Sequence, residues 1–350
     1  MPRWYSPDTE TDPGVSGVYP ENAVIQAPVA GHTDLPMRRA SRRHGCRFAF
    51  TEMIDAGSLV FQSGKTPVLA VRGDDEDFLG IQLVGSDLPL LERAVEIVNG
   101  MRFDVLDFNL GCPAPKVAKK GEGITFVLKD PDGALRAAET IVRKSAIPVT
   151  VKTRILDFDD PAPTVAFCRR LAETGIAALT LHGRVAKAFY SGPAAFHVIS
   201  AVREAVPVPV IANGGALTPE SYRELLEKTG CSRGMIARGA LGNPWLFDAV
   251  LHPDSARPPT VEEFAAELER HVREMTVFYG EELGFRIARK TVLEYLRGRG
   301  FAGSLRASVS YLDSFGAFGR ILDEVRKGPS LRYWEFLEAR PGEVERKLSR

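Results

Sequence analysis

Residues 148–184, PVTVKTRILDFDDPAPTVAFCRRLAETGIAALTLHGR, contain one strand–helix–strand unit. PVTVKTR (148–154) and ALTLHGR (178–184) are short apolar runs, as is typical of parallel strands that are buried on both faces. Between them, Asp160-Pro161 places a capping side chain before a proline, which marks the first turn of a helix. This stretch therefore predicts two parallel strands joined by a crossover helix.

The same pattern recurs between residues 23 and 250. The other runs are AVIQAPVA (23–30), FAFTEM (48–53), LGIQLVG (79–85), VLDFNLGC (105–112), PVIANGG (209–215) and GMIARGAL (234–241). Asp130-Pro131, Thr218-Pro219 and Asn243-Pro244 mark further helix starts. Eight strand–helix units favour an α/β fold of the (β/α)8 TIM barrel type. An open doubly wound sheet is the alternative, but no G-x-G-x-x-G sequence follows the first run.

The composition changes at both ends of this region of the 350-residue chain. Residues 1–22 carry acids, prolines and glycines, which predicts a flexible leader and not a signal peptide. The Pro-rich segment LHPDSARPPT (251–260) is typical of a linker. Thr260 and Glu263 then match a capping box, and apolar residues follow at helical spacing. With further helical sequence at 285–298, 304–325 and 331–348, we predict a barrel over 23–250 and an all-α domain over 258–350.

The overall composition excludes several classes of protein. The chain has 45 basic and 45 acidic residues, so its zero net charge weakens any broad attraction to nucleic acid. No apolar run approaches the ~20 residues of a membrane helix. Four cysteines lie far apart without a C-x-x-C motif, which predicts neither a disulfide framework nor a zinc site. We expect a cytoplasmic monomer with no metal and no membrane partner.

Polar residues close almost every predicted strand. Because a TIM barrel builds its active site at the C-terminal ends of its strands, these groups should surround a common ligand. After the last two strands, NGG (213–215) and ARG (237–239) offer backbone N–H groups where barrels often bind phosphate, although ordinary turn glycines are the alternative for NGG. Lys152 and His182 would point into the same mouth, where a cation suits a bound flavin.

Cys112 is the candidate catalytic acid. It lies in NLGCPAPKVAKKGEG (109–123), a lysine-rich segment bounded by Gly and Pro that suits a mobile lid. A thiol with an ordinary pKa of about 8.5 is mostly protonated at pH 7 and can donate a proton. A small buried side chain is the usual alternative for cysteine, and we assign that role to Cys46, Cys168 and Cys231.

Ten segments together carry a resemblance to a known family. They are APVAGHTDLPMRR (27–39), TEM (51–53), IQLVGSD (81–87), DFNLGCPAPKVAKKG (107–121), VTVKTR (149–154), LTLHGR (179–184), YSG (190–192), PVIANGG (209–215), MIARGALGNPWLF (235–247) and FYG…GFRIARK (278–290). With these segments the sequence resembles the tRNA-dihydrouridine synthases, and among them the bacterial B-type group. The resemblance implies a barrel that binds FMN, NADPH as the reductant of the flavin, a helical RNA-binding domain, and a D-loop uridine of tRNA as the substrate.

The resemblance also implies roles for individual residues. Hydride would pass from FMN to C6 of the uracil, and Cys112 would protonate C5. FMN would be held by Pro28, Val29, Ala30, Gln82, Lys152, His182, Asn213, Gly214, Gly215, Ala237 and Arg238. The substrate would contact Asn109, Arg184, Lys119, Lys120, Arg286, Arg289 and Lys290. A basic track for RNA would also include Arg38, Arg39, Arg42, Arg43 and Arg47 near the first helix, Lys116 on the lid, and Arg297 and Arg299 in the helical domain. Solvated helix faces are the alternative.

Several positions depart from the family pattern. GEGITFVL (121–128) stands where GAGSALL is usual, which places the acid Glu122 and the ring of Phe126 beside the proposed active-site loop. Val29 replaces a methionine, Thr291 replaces the histidine of RKH, and NGG replaces NGD. Two alternatives therefore stay open. One is an FMN-dependent barrel enzyme that acts on another RNA base or a free pyrimidine, and the other is an RNA-binding protein without catalysis.

Overall fold

Eight parallel strands form the centre of the computed structural model, which describes residues 18–64 and 66–329. The strands are β1 (Val24–Gln26), β2 (Phe50–Asp55), β3 (Gly80–Val84), β4 (Val105–Leu110), β5 (Val149–Arg154), β6 (Ala178–His182), β7 (Val210–Asn213) and β8 (Arg233–Ile236). They are ordered β1-β8-β7-β6-β5-β4-β3-β2. A parallel bridge from Ile25 to Phe48 joins β1 to the residues ahead of β2 and completes the ring. The predicted TIM barrel is confirmed, and each predicted apolar run overlaps one strand.

Helices surround the barrel and continue into a second domain. Around the barrel they are α1 (Leu35–Arg43), α2 (Ala56–Val60), α3 (Thr66–Leu69), α4 (Leu88–Asn99), α5 (Pro115–Lys119), α6 (Ile124–Lys129), α7 (Pro131–Lys144), α8 (Ala162–Glu173), α9 (Phe196–Ala205), α10 (Pro219–Thr229) and α11 (Trp245–Leu251). The second domain contains α12 (Val261–Tyr279), α13 (Glu281–Leu296), α14 (Gly303–Ser308) and α15 (Phe315–Arg326). Within the described part of the chain, no helix is long and apolar enough to cross a membrane.

The predicted helix starts are confirmed. A helix follows each of the four X-Pro pairs, and Asp130 caps α7 by accepting a hydrogen bond from the Gly133 N–H at 2.8 Å. The predicted helix over 304–325 is divided into α14, a 3-10 turn and α15, because Ser314 leaves the helical conformation to cap α15. The predicted segment 331–348 and residues 1–17 of the predicted leader lie outside the described residues. Tyr19, near the end of that leader, is only 2% exposed and packs against the ring of Phe48.

The apolar residues form separate cores for the barrel and the second domain. Inside the barrel, Ile25, Phe50 and Met235 belong to a cluster that fills the space beneath the strand ends. A larger cluster lies between the strands and the surrounding helices. In the second domain, Phe285 and Tyr295 belong to a core shared by α12 to α15. The barrel core leaves the C-terminal strand ends as the open face of this domain.

The two domains are joined by charged and polar contacts between α1 and α12. The Arg43 guanidinium binds Glu267 at 2.6 Å and Glu274 at 2.8 Å. The Tyr279 hydroxyl donates to the Asp34 carboxylate at 2.9 Å, so α12 is tied to the loop that follows β1. These bonds hold the helical domain beside the open end of the barrel. Arg43 therefore serves a contact between the two domains.

Arg38 also has a structural role and does not belong to an RNA-binding track. Its side chain is 1% exposed and binds both carboxylate oxygens of Glu76, at 2.8 and 2.9 Å. Two further N–H groups donate to the carbonyls of Thr33 and Val71. Because this guanidinium is buried and uses four of its five N–H groups in these bonds, it cannot reach a phosphate. The run of basic residues in the first helix therefore overstated the positive charge on its surface.

The Thr260 cap gives a test of the boundary between linker and helical domain. The Thr260 hydroxyl accepts from the Glu263 N–H at 3.2 Å, and the Glu263 carboxylate accepts from the Thr260 N–H at 2.8 Å. We expect Thr260→Ala to lower the free energy of unfolding by about 1 kcal/mol, because it leaves a helix N–H without its acceptor. Chemical denaturation followed by circular dichroism measures this, with Ser310→Ala at an exposed site as the control. Equal denaturation midpoints for both variants would contradict the assignment.

Candidate active site

A cavity of about 400 Å³ opens at the C-terminal ends of the strands. Its walls include residues that were predicted to hold the cofactor, to contact the substrate or to act as the acid. These are Pro28, Val29, Ala30, Gln82, Asn109, Cys112, Lys152, His182, Arg184, Asn213, Gly214, Gly215, Ala237 and Arg238. Parallel strands end at one edge of the barrel, so residues far apart in the chain meet here. The structure thus brings together the whole predicted barrel-end set.

A buried hydrogen-bond network fixes the floor of the cavity. The Gln82 amide donates to the Asp107 carboxylate at 2.7 Å, and the Thr150 hydroxyl donates to its other oxygen at 2.7 Å. The Asn109 amide in turn donates to the Gln82 side-chain oxygen at 2.8 Å. Burial raises the pKa of Asp107 to about 6. Because each partner is held by the next, the amides of Gln82 and Asn109 have one defined orientation.

Asn109 has a positioning role that its predicted contact with substrate did not include. Its side-chain oxygen accepts from the backbone N–H groups of Gly111, at 3.1 Å, and Cys112, at 2.9 Å. From the other side, the Arg154 Nε–H donates to the Gly111 carbonyl at 2.8 Å. The turn that carries the thiol is therefore anchored to both β4 and β5.

Cys112 is half-buried, whereas the other three cysteines are buried, as predicted. Burial raises the pKa of the Cys112 thiol, while the nearby Arg154 and Lys152 lower it. Burial also raises the pKa of Cys46 and of Cys168 to about 12. The Cys112 thiol is thus protonated at neutral pH and lines a cavity, which are the two requirements for a general acid.

Lys152 supplies positive charge inside the cavity. Its ammonium donates to the Asn213 side-chain oxygen at 3.1 Å, and the Asn213 amide donates to the Met235 carbonyl at 2.8 Å. Burial and the nearby Arg154 lower the pKa of Lys152 to about 8. The lysine is thus mostly charged at pH 7, and N–H groups beyond its bond to Asn213 remain for a ligand.

His182 does not supply the positive charge that its strand-end position suggested. Burial and the neighbouring cations, Lys152 foremost, hold its pKa well below the ordinary value, so the ring is neutral at pH 7. Arg184 lies 3.3 Å from His182 Nε2. Because a guanidinium can only donate, this nitrogen accepts and the proton resides on Nδ1.

Backbone groups at the ends of β7 and β8 provide a site for an anion. Gly214 and Gly215 have φ angles of +124° and +85°, which favour glycine. Within residues 18–64 and 66–329, no acceptor receives their N–H groups. A 3-10 turn that begins at Arg238 adjoins them. Free N–H groups beside a guanidinium are suited to a phosphate.

The residues predicted to contact RNA lie outside this cavity. Lys120 pairs with Asp55 at 2.6 Å, and Lys119 and Arg286 are exposed. The Arg289 Nε–H donates to the Leu312 carbonyl at 2.9 Å, which ties α13 to the segment ahead of α15. The Lys290 ammonium lies close to Gly31, in the loop after β1. If Gly31 carried a Cβ atom, that atom would be 3.1 Å from the Lys290 nitrogen. Lys290 on α13 therefore lies beside the loop that follows β1.

Three further residues line the cavity although the sequence assigned them no role there. Arg154 closes β5 and donates to the Phe189 carbonyl at 2.7 Å, and its guanidinium lies over the Tyr190 ring. Its strand-end position places it in the polar ring that the sequence predicts, although no specific role was assigned to it. Glu294, which lies on α13, and Arg297, which directly follows that helix, also line the cavity. Arg297 was predicted as part of the basic track for RNA and not as a cavity residue, and no strand-end pattern marks Glu294 because it belongs to the second domain.

Comparisons with known proteins agree with this geometry. A model of the dihydrouridine synthase (Dus) family matches residues 25–316. The tRNA-dihydrouridine synthase B of Vibrio vulnificus (strain CMCP6) is 36% identical over 301 residues, which cover 84% of this chain and 92% of that protein. The tRNA-dihydrouridine synthase B of Pseudomonas aeruginosa is 33% identical over 303 residues, covering 85% of this chain and 90% of that protein.

Among solved structures, histamine dehydrogenase from Rhizobium sp. 4-9 is similar in fold, with a TM-score of 0.52 and 12% sequence identity. The match covers 87% of this chain and 62% of that chain. At this identity the likeness supports the barrel alone. The family match covers most of both domains, and it includes the strand ends and the loop that carries Cys112. The chain therefore belongs to the dihydrouridine synthase family.

Proposed function

We propose that this chain reduces uridine in tRNA to dihydrouridine, with FMN held in the barrel cavity and Cys112 as the proton donor. The observation that carries the proposal is the half-buried, protonated Cys112 thiol in the same cavity as a lysine and two free glycine N–H groups. Family membership and the two tRNA-dihydrouridine synthase B relatives support the substrate class.

The residues of the cavity fit FMN. The Gly214 and Gly215 N–H groups and the Arg238 side chain suit its phosphate, and Gln82 and Lys152 would hold the ring. The remaining proposed contacts come from Pro28, Val29, Ala30, His182, Asn213 and Ala237, which all line the cavity. A cavity of about 400 Å³ is within the ~300–1,000 Å³ of ordinary ligand sites. Bound FMN would supply the hydride for C6 of the uracil, and NADPH is the proposed reductant.

The protein's own part in the reaction is proton donation and positioning. Cys112 would give its thiol proton to C5 of the uracil, and water would restore that proton. Asn109 and Arg154 hold the turn that carries the thiol, so the donor is oriented before the substrate arrives. Arg184, beside His182, would contact the uridine.

A uracil within folded tRNA must leave its stack to reach this cavity, at a cost of a few kcal/mol. Contacts to the RNA backbone would offset that cost. We assign these contacts to Lys119 and Lys120 near Cys112 and to Arg286, Arg289 and Lys290 on α13. A D-loop uridine is the proposed target, and the cytoplasmic location and monomeric state stay predictions.

The test is reduction of an unmodified tRNA transcript by the purified protein with FMN and NADPH. Nucleoside mass spectrometry should show dihydrouridine, and sequencing of the reduced transcript should place it in the D-loop. Free uracil and uridine serve as alternative substrates, and NADH replaces NADPH in a parallel reaction. Turnover of the free pyrimidines without tRNA turnover would overturn the proposal in favour of a small-molecule reductase.

A further inference from the structure

The loop between β8 and α11 connects the proposed phosphate site to the helical domain. It begins with the 3-10 turn Arg238–Ala240, which we call the phosphate turn, and it ends where α11 starts. The proposed function uses Ala237 and Arg238 at the beginning of this loop. It gives no role to the rest of the loop, ALGNPW (240–245).

Backbone hydrogen bonds run from the phosphate turn to Asn243. The Leu241 N–H donates to the Arg238 carbonyl at 3.1 Å, and the Asn243 N–H donates to the Ala240 carbonyl at 3.1 Å. Each bond closes one turn of the chain and begins where the previous one ends. A displacement of Asn243 would therefore be transmitted to the phosphate turn.

The phosphate turn also packs against the other half of the proposed phosphate site. A Cβ at Gly239 would overlap the Ala216 carbonyl oxygen and would lie 3.0 Å from the Leu217 Cα. Ala216 directly follows Gly214 and Gly215, whose N–H groups form that other half. Because backbone meets backbone here, the position of the phosphate turn sets the shape of the whole site.

Arg299 of the helical domain binds the far end of the loop. Its Nη2 group donates to the Asn243 side-chain oxygen at 2.9 Å and to the Gly242 carbonyl at 3.2 Å. Gly242 has φ +61°, and a Cβ there would overlap the backbone of α13 at Glu294 and Tyr295. The loop thus fits closely against the helical domain, and a charged donor, which forms the stronger class of hydrogen bond, fixes it there.

Two aromatic rings hold the Arg299 side chain in place. Its guanidinium lies 5.1 Å from the centre of the Phe264 ring and 5.7 Å from that of the Trp245 ring. These rings are stacked, with centroids 5.6 Å apart and 22° between their planes. Phe264 belongs to α12 and Trp245 to α11, so Arg299 lies where the two domains meet. A position that was predicted for RNA contact therefore serves the joint between the domains.

We propose that Arg299 is a positioning residue for the flavin phosphate, because it holds Gly242 and Asn243 and thereby keeps the phosphate turn in its binding position. Arg299 does not line the barrel cavity, so it acts through the loop. A turn that is ordered before the ligand arrives binds more tightly than one that must be ordered on binding. The inference rests on the FMN site of the proposed function, and it gives the helical domain a part in cofactor binding in addition to RNA contact.

The test compares FMN with riboflavin, which has the same ring and ribityl chain but no phosphate. Fluorescence titration of the full-length apoprotein gives both dissociation constants. We expect Arg299→Ala to weaken FMN binding about fivefold and to leave riboflavin binding unchanged, because only FMN uses the phosphate turn. A general loosening of the barrel would weaken both ligands alike and leave the ratio of the two constants as in the wild type.

Asn243→Ala removes the acceptor of the same bond and should lower the preference for FMN in the same way. The double variant should be no weaker than the weaker single variant, because both substitutions break one interaction. Glu274→Ala is the control. It removes an ion pair with Arg43 that also joins the two domains but lies on α12 and α1, away from the phosphate turn, and it should keep the wild-type preference.

A wild-type ratio in both Arg299→Ala and Asn243→Ala would refute the inference and leave the proposed function intact. Wild-type protein that binds riboflavin as tightly as FMN would instead refute the phosphate site, and the inference with it. Wild-type protein that binds neither flavin would refute the cofactor of the proposed function. The three results differ in the wild-type constants, so failure of the inference alone is recognised directly.

Discussion

Cys112→Ala should reduce the rate of uridine reduction by at least about 100-fold, since a positioned general acid typically contributes 10²–10⁴-fold. The flavin and its oxidation of NADPH should be retained, because the bonds that shape the cavity floor involve Gln82, Asp107 and Asn109 and not the thiol. Asn109 accepts from the backbone N–H of residue 112, a bond that alanine preserves. The measurements are dihydrouridine content by mass spectrometry, the flavin spectrum and NADPH consumption.

Cys168→Ala is the matched control, because this cysteine is fully buried on α8, away from the cavity. It should keep uridine reduction close to the wild-type rate. Wild-type turnover of tRNA by Cys112→Ala would show that another group donates the proton. Loss of the flavin in that variant would instead show that the thiol supports the cofactor site.

The barrel and most of its mouth could be predicted because the signal is local and repeats. Each strand is a short apolar run with a polar residue at or near its end, and parallel strands place those ends at one edge. Lys152 and Asn213 are 61 residues apart in the chain and still meet at 3.1 Å. The strand order alone predicted that both residues lie at the same mouth, although it did not predict the bond between them.

The roles of individual charges could not be predicted in the same way. Arg38 belongs to a run of basic residues, but its partner Glu76 lies 38 residues away in a loop, and their burial depends on packing. The neutral state of His182 likewise results from burial beside Lys152, Arg154 and Arg184. Arg297 comes from a different domain, and it reaches the cavity through the packing of that domain on the barrel. These properties depend on residues that are close in space but far apart in the sequence, so the spacing of residues in the sequence does not reveal them.

Lys152→Ala should weaken FMN binding by about 10- to 100-fold, since a hydrogen bond to a charged group contributes about 1.5–3 kcal/mol. The variant removes the cavity's ammonium group and leaves the Asn213 oxygen without its donor. Fluorescence titration of the protein with FMN measures the effect. Lys228→Ala, which changes an exposed ion pair with Glu224 on α10, is the control and should bind FMN like the wild type.

The pH dependence of FMN binding separates the charge of Lys152 from its shape. Burial lowers the pKa of Lys152 to about 8, so the side chain is charged below that pH and neutral above it. An ammonium is a stronger hydrogen-bond donor to the flavin ring than a neutral amine. Affinity of the wild-type protein for FMN should therefore fall as pH rises through about 8, and Lys152→Ala should show no such step. A wild-type dissociation constant that stays constant across this range, or an unchanged affinity in Lys152→Ala, would refute a charge contribution from Lys152 and leave the glycine N–H groups and Arg238 as the source of anion binding.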